Sequence, residues 1–250
     1  MGTRSTADSG VQFPQAGSSG EPSLRTGRPA ASGSSRRKAA AKKAAALFAF
    51  DRQLGNNWVV GADEAGRGCL AGPLVAAAVA FDQSRLSLDD LRRLEDLDDS
   101  KKRKGERRAA LFEAIQQTAA IVTVSIKPAQ VIDRDGLHVT NKAALADAAT
   151  RAGRPDGLHL TDGFEVDLPW GKSEKLVKGD SRSAAIAAAS IIAKEARDRW
   201  MLKVSERYPG YGFDVHVGYA TAEHREAIIA LGPCDLHRRS FNSSAFSAAA

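Results

Sequence analysis

The spacing of apolar residues along this chain predicts a mixed sheet with interleaved helices. Short apolar runs rich in β-branched residues predict strands, and apolar positions that repeat every three or four residues predict amphipathic helices. The predicted strands cover residues 58–63, 74–81, 121–126, 158–162 and 175–178, and the predicted helices cover residues 106–119, 140–152, 183–208 and 221–231. Strands first and helices interleaved later are typical of an α/β fold, with a mixed sheet flanked by helices and a helical C-terminal portion.

Two of these elements predict how the core packs. The run LVAAAVAF at 74–81 is apolar throughout, which indicates a strand buried on both faces. The first half of the helix 183–208, SAAIAAASIIA, is rich in small residues and suits close packing on a sheet. Lys194 and Arg197 in the same helix argue against a membrane segment.

The first 45 residues differ in composition from the rest of the chain. They are rich in Ser, Gly, Ala and Arg and hold eight basic side chains against two acidic ones, so they carry the whole formal net charge of +6. Such a segment has too little apolar surface to offset the entropy of ordering. We therefore expect residues 1–45 to form a disordered basic tail, residues 46–241 the folded domain, and residues 242–250 a flexible end. The stretch RRKAAAKKAAALFAF could become helical on a polyanion.

Hydrophobicity and cysteine use indicate the compartment. No apolar run approaches the ~20 residues of a membrane span, and the N-terminus lacks the hydrophobic segment of a secretory signal. Cys69 and Cys234 are too few for a disulfide framework and belong to no CxxC pair. We expect a cytoplasmic monomer with reduced cysteines and no membrane association.

Carboxylates recur at the ends of predicted strands or in the loops beyond them. Asp63 and Glu64 lie in GADEAGRG, Asp162 lies in TDG and Asp180 lies in KGDS. If these groups converge, they repel one another by ~4 kcal/mol per pair at 4 Å and an effective dielectric of 20, unless divalent cations lie among them. Carboxylates suit Mg²⁺ or Mn²⁺, and two such ions can activate water and stabilise the leaving oxygen of a phosphodiester.

The adjacency of Asp63 and Glu64 sets a geometric condition. Successive side chains of a strand point to opposite faces, so the two acids can share a site only if the strand ends or bends there. Gly66 and Gly68 favour such a bend, and glycines also let a substrate backbone come close. An acidic pair beside a glycine-arginine-glycine turn therefore suggests chemistry on phosphodiesters.

Two phosphate-binding motifs are excluded by spacing. The sequence GKS at 171–173 resembles the end of a P-loop, but Val166 stands where that loop needs glycine. Gly61, Gly66 and Gly68 miss the spacing of a dinucleotide fold, and free carboxylates beside them would repel a pyrophosphate. The run DDSKKRKGERR at 98–108 is either a solvated helix start or a phosphate contact.

Seven motifs occur in the order expected for bacterial ribonuclease HII: GADEAGRGCLAGP, LDDSKKR, TDGF, VKGDSRSAAIAAASIIAKEARD, YPGYGF, HVGYATAEHREAI and HRRSF. The chain resembles that family over residues 47–241. The resemblance implies an RNase H-like fold, with a C-terminal extension that helps to grip the duplex. It also implies an endonuclease that uses Mn²⁺ or Mg²⁺ to cut RNA within RNA/DNA hybrids, including single ribonucleotides embedded in DNA.

The resemblance further implies the residues of the site. The family's metal-binding acids match Asp63, Glu64, Asp162 and Asp180. The loop that recognises the ribonucleotide 2′-hydroxyl matches Gly66, Arg67 and Gly68, and the tyrosine at the RNA-to-DNA junction matches Tyr219. A protein tells RNA from DNA at one position through the 2′-hydroxyl or the shape it imposes.

Three positions depart from the family pattern. Cys69 replaces a common proline, Val217 replaces the lysine of an HKGY motif, and Glu195 stands where valine is frequent. None is a predicted metal ligand, so the departures bear on affinity rather than on activity. Two other functions stay open: a DNA nuclease on the same scaffold, such as a resolvase, and a non-catalytic nucleic-acid-binding module suggested by the basic tail.

Overall fold

The computed structural model describes residues 33–97 and 105–241. The helices are α1 Gly33–Gln53, α2 Leu88–Arg93, α3 Gly105–Thr118, α4 Ala129–Asp135, α5 Leu137–Arg151, α6 Ala184–Ser205, α7 Phe213–His216 and α8 Ala222–Leu231, with a 3-10 turn at Gly179–Ser181. The strands are β1 Trp58–Ala65, β2 Leu74–Asp82, β3 Ile121–Lys127, β4 Leu158–Asp162, β5 Asp167–Leu168, β6 Gly171–Lys172 and β7 Glu174–Leu176. Within the described ranges, no helix is long and apolar enough to cross a membrane.

Five strands form one mixed sheet in the order β3-β2-β1-β4-β7. β1 pairs antiparallel with β2, and β2 pairs antiparallel with β3. β1 and β4 are parallel, as are β4 and β7. The predicted α/β class and mixed sheet are confirmed. The last strand, predicted at 175–178, runs instead over Glu174–Leu176.

Helices cover both faces of the sheet because its central strands are apolar on both sides. β2 is buried along its whole length except at Asp82, as its sequence predicts. On one face Val59 packs in a core with α6, and on the other Val60 and Ala62 pack in a core with α5. The approach of α6 is so close that a Cβ at Gly61 would overlap the α6 backbone at Ala185, which explains the small residues of that helix.

Helix α1 begins at Gly33, inside the segment predicted to be a basic tail, and residues 1–32 and 242–250 lie outside the described ranges. The division into tail, folded domain and flexible end stays a prediction. The second half of α1 buries Ala44, Leu47 and Phe48, and the Phe48 ring meets Phe81 edge-on at 5.4 Å. Asp51 accepts a hydrogen bond from the Ala185 N–H at 3.0 Å, which ties α1 to the start of α6.

The C-terminal portion is helical, as predicted, and packs on the segment that follows β1. Ala71, Met201, Tyr211 and Phe213 form a small buried core. The Tyr211 and Phe213 rings stack with their centroids 5.3 Å apart. An isolated antiparallel bridge joins Ala71 to His237, so the end of the described chain lies against the loop after β1.

Candidate active site

Parallel pairing of β1 with β4 brings two of the predicted acids together. Ala62 pairs with Thr161 at the end of the ladder, and Asp63 and Asp162 are the next residues on their strands. The two carboxylates are close enough for Asp162 to raise the pKa of Asp63. The Asp162 Oδ1 also accepts a hydrogen bond from the Gly179 N–H at 2.7 Å, which fixes this carboxylate at the end of β4.

Glu64 reaches the same region from the other face of the sheet. The sequence predicted that β1 ends at Asp63. In the structure it continues to Ala65 and stays paired with β2. Asp63 therefore lies toward α6, near Ser190, and Glu64 lies toward α5, near Asn141. Both side chains nevertheless line one cleft, because the β1–β4 pairing has stopped and the end of the sheet is open.

The cleft has a volume of about 370 Å³ and collects residues from several distant segments. The residues that line it are Asp63, Glu64, Ala65, Gly66, Arg108, Asp162, Ser190, Ile191, Lys194 and Tyr219. Five predicted site residues therefore meet there. Arg67, Gly68 and Asp180 do not line the cleft that the described residues form.

The buried carboxylates of this cleft hold their protons more tightly than exposed ones. Burial, then the nearby Glu64 and Asp162, raise the pKa of Asp63 well above 3.8, although Ser190 lowers it. Burial also raises the pKa of Glu64 from 4.5 to about 6, against the lowering effect of Arg67. Any cation placed among these groups reverses that balance and favours the ionised acids.

Asp180 lies one residue beyond the N–H donor of Asp162. It is half-buried in the 3-10 turn between Lys178 and the start of α6. Gly179 allows this turn, since a Cβ there would meet the Ile186 side chain at 2.5 Å. Asp180 therefore follows Gly179, the residue that donates to Asp162. The Asp180 carboxylate does not line the cleft.

The glycine-arginine-glycine loop borders the cleft through Gly66, which has φ 90°. The Arg67 guanidinium forms an ion pair with Glu64 at 3.5 Å and lies over the Phe164 ring, 4.8 Å from its centroid. A Cβ added at Gly68 would meet nothing within 4 Å. The loop therefore has open space at Gly68, and its Arg67 is paired with Glu64, a predicted metal ligand.

Tyr219 lines the cleft next to Cys69, the residue that follows the glycine loop, and is 40% exposed. Its N–H donates to the His216 carbonyl at 2.9 Å, and its carbonyl lies 2.8 Å from Nδ1 of the buried His224. Lys194 and Arg197 approach its ring, at 5.6 and 5.7 Å from the centroid. The backbone of this tyrosine is thus anchored while its ring remains accessible to a ligand.

Arg108, Ser190 and Lys194 line the cleft but were not among the predicted site residues. Arg108 ends the charged run 98–108, of which residues 98–104 lie outside the described ranges. It donates to Glu195 and Asp198, each at 2.8 Å. The charged run at 98–108 could have pointed to Arg108 as a site residue. Nothing in the sequence distinguishes Ser190 and Lys194 from the other residues of α6.

The chemistry of the cleft fits divalent cations. The Glu64 Oε2 atom is buried and has no hydrogen-bond partner among the described residues, and three carboxylates in one cleft repel one another. In the described part of the chain, no three His, Cys, Asp or Glu side chains are arranged to hold a metal ion by themselves. An open acidic site of this kind suits Mg²⁺ or Mn²⁺, which retain waters and take substrate phosphates as ligands.

Comparison with known proteins decides the family. The family model described as ribonuclease HII matches residues 60–244. The chain belongs to the ribonuclease HII family. A ribonuclease HII of Geobacillus kaustophilus is 42% identical over 209 residues, which cover 82% of this chain and 77% of the relative. A ribonuclease HII of Frankia alni is 45% identical over 204 residues, which cover 80% and 83%.

Solved structures agree with this membership. A chain of the PCNA:RNase HII complex from Archaeoglobus fulgidus superposes with a TM-score of 0.61 at 26% identity, over 74% of this chain and 95% of that chain. Bst-RNase HIII in complex with Mn²⁺ superposes with a TM-score of 0.61 at 21% identity, over 80% and 71%. The RNase H-like fold is confirmed, and as a ribonuclease HII this protein is an endonuclease that acts on RNA/DNA hybrids.

Proposed function

We propose that this protein hydrolyses the RNA strand of RNA/DNA hybrids and also cuts on the 5′ side of single ribonucleotides embedded in duplex DNA. The products are 3′-hydroxyl and 5′-phosphate ends. The observation that carries the proposal is the cleft in which Asp63, Glu64 and Asp162 lie with Gly66 and Tyr219. Acids for metal binding and groups for ribonucleotide recognition thus occupy one site.

The acids of the cleft, with Asp180 beside them, are the proposed ligands of Mn²⁺ or Mg²⁺. When two such ions are bound, they supply an activated water and stabilise the leaving oxygen. The protein holds Asp63 within β1 and Asp162 at the end of β4, where the parallel pairing of these two strands stops, so the proposed ligands are fixed before substrate arrives. Lys194 and Arg108 also line the cleft, and each forms an ion pair with Asp198. We assign them to contacts with the phosphates of the cut strand, which would replace that acidic partner.

Selection of ribonucleotides is assigned to the Gly66–Gly68 loop and to Tyr219. The open space at Gly68 lets the backbone of the loop approach a sugar closely. The exposed ring of Tyr219 offers a flat apolar surface in the same cleft, as stacking at an RNA-to-DNA junction requires. A 2′-hydroxyl between the two can be recognised directly.

The test is cleavage of an end-labelled DNA duplex that contains one ribonucleotide, with Mn²⁺, Mg²⁺ or EDTA. An RNA/DNA hybrid and an all-DNA duplex serve as parallel substrates. We expect metal-dependent cutting 5′ to the ribonucleotide and within the hybrid, and none in the all-DNA duplex. Cutting of all-DNA would indicate a DNA nuclease, and binding without cutting would indicate a non-catalytic module.

Matched variants separate the cleft from the rest of the surface. Asp63→Asn removes a proposed ligand with little change in volume, and we expect it to lose metal-dependent cutting. Asp89→Asn makes the same change at an exposed aspartate of α2, outside the cleft, and is expected to cut at the wild-type rate. Wild-type activity in Asp63→Asn would refute the assignment of the acids.

A further inference from the structure

A buried arginine of α6, Arg197, joins the two segments to which ribonucleotide selection is assigned. Its side chain is 1% exposed. Its Nε donates to the Pro73 carbonyl at 3.0 Å and its Nη2 donates to the Ala71 carbonyl at 3.0 Å, both in the segment after the glycine loop. Its Nη1 donates to the Val217 carbonyl at 2.9 Å, two residues before Tyr219. One planar group thus holds three carbonyls in a fixed geometry.

Glycines of both segments make room for this side chain. A Cβ at Gly66 would overlap the Arg197 Nε. A Cβ at Gly72 or Gly218 would first overlap the Met201 Sδ or the Ala71 carbonyl oxygen, and would lie 3.2 or 3.3 Å from the Arg197 Nη2. Gly66 is the residue of the glycine loop that lines the cleft. The Arg197 guanidinium also lies 5.7 Å from the centroid of the Tyr219 ring. The arginine therefore packs against Gly66 of the recognition loop and lies within cation–π distance of the Tyr219 ring.

The conformation of Val217 indicates that this connection constrains the backbone. Val217 has φ 43°, in the left-handed region that β-branched residues rarely adopt. Its carbonyl is the Nη1 acceptor of Arg197. A strained residue persists only when its surroundings hold it in place. Arg197 is one of the groups that hold Val217, which lies two residues before Tyr219.

A second buried arginine provides a contrast. Arg238 is fully buried and donates to the Gly72 carbonyl through Nε and Nη2, at 3.1 and 3.0 Å, and to the Arg67 carbonyl through Nη1, at 2.9 Å. These acceptors all belong to the glycine loop and the segment that follows it. Arg238 therefore bonds to one recognition segment, whereas Arg197 bonds to both. The two segments are also joined directly, by the Leu70 and Ala71 N–H groups, which donate to the Gly218 carbonyl at 2.9 and 3.3 Å.

We propose that Arg197 is a positioning residue for ribonucleotide selection, which sets the distance between the Gly66 loop and Tyr219. This inference rests on the proposed function. A single embedded ribonucleotide must meet the loop and the tyrosine at the same time, so it is sensitive to their separation. A long hybrid offers many registers and is less sensitive. Buried charges are also retained in some proteins because they fix one arrangement rather than because they stabilise it.

The test compares kcat and KM for the single-ribonucleotide duplex and for the RNA/DNA hybrid. In Arg197→Lys, which keeps the charge but loses the planar fork, we expect KM for the single-ribonucleotide duplex to rise about tenfold more than KM for the hybrid. Arg238→Lys is expected to affect both substrates by the same factor. Ile132→Val, a core change on the opposite face of the sheet, serves as the stability control and should leave the ratio unchanged.

A double-mutant cycle adds a readout that a merely structural role would not move. In a Tyr219→Ala background, Arg197→Lys should have no further effect on the substrate ratio, because the tyrosine it positions is gone. If Arg197→Lys shows no cooperative unfolding, Arg197→Met replaces it, since it fills the same space without a buried charge. Equal losses on both substrates, or additive effects in the cycle, overturn this inference alone. A wild type that cuts neither substrate overturns the proposed function and this inference with it.

Discussion

Replacement of Asp51 by asparagine should stabilise this protein at neutral pH, by an amount that grows as the pH rises. Asp51 is fully buried in α1. Its Oδ2 accepts the Ala185 N–H at 3.0 Å, and its Oδ1 has no hydrogen-bond partner among the described residues. Burial raises the pKa of Asp51 from 3.8 to about 6, although the hydrogen bonds at the start of α6 lower it. The folded protein therefore favours the protonated acid.

The magnitude follows from the difference between the two pKa values. At 1.36 kcal/mol per pKa unit, the shift of Asp51 from 3.8 to about 6 corresponds to about 3 kcal/mol. Below pH 3.8 the acid is protonated in both states and this cost is absent. Between pH 3.8 and 6 the unfolded chain binds fewer protons than the folded one, so stability falls as the pH rises. Above pH 6 the whole cost is present.

Urea unfolding of the wild type and Asp51→Asn at several pH values from 4 to 7 measures this difference. Asparagine can still accept the Ala185 N–H, so the free energy of unfolding of the variant should gain up to about 3 kcal/mol on the wild type across that range. Asp147→Asn is the control, because the Ser125 hydroxyl lowers the pKa of Asp147 below 3.8. The effect of this substitution on the free energy of unfolding should therefore not change with pH between 4 and 7. A difference between Asp51→Asn and wild type that does not change with pH would refute the reasoning.

Three further predictions concern packing and metal binding. Gly61→Ala should destabilise the fold by about 1–3 kcal/mol or more in urea unfolding, because its Cβ overlaps the backbone of α6 at Ala185; unchanged stability would contradict the close packing. Mn²⁺ at a hundred times its Kd should stabilise the wild type by about 2.7 kcal/mol, and an equal increase of Tm in Asp63→Asn would argue against the proposed ligand. Metal affinity should weaken as the pH falls through about 6, where Glu64 takes up a proton; Mn²⁺ titrations that agree at pH 5 and pH 7 would exclude this.

Much of the fold could be predicted because its central elements have strong and simple patterns. The run LVAAAVAF forms β2, and the small residues of α6 pack closely on β1. Helix α1, Gly33–Gln53, was not among the predicted helices, because the composition of its first half is that of a disordered segment. Its packing depends on a narrow stripe, Ala44, Leu47, Phe48 and Asp51, that is buried only when β2 and α6 are present.

The acids of the candidate site could be predicted from the sequence, but the residues that support them could not. Three of the four predicted acids, Asp63, Glu64 and Asp162, line one cleft, whereas Asp180 does not line it. Arg197 and Arg238 could not be found in this way, because a lone arginine in a sequence usually indicates surface charge. Both are buried by contacts to carbonyls from distant segments, and such contacts depend on the tertiary fold rather than on local pattern.

The pairing of β1 with β4 has a consequence for how the molecule matures. Val59 pairs with Leu158, so a parallel ladder joins segments about a hundred residues apart, and contacts of that kind form slowly during folding. A chain still emerging from the ribosome can present Asp63 and Glu64 long before Asp162 exists. Assembly of the acidic cluster therefore depends on a contact between distant segments, and we expect a chain that has not yet formed β4 to lack the proposed metal site.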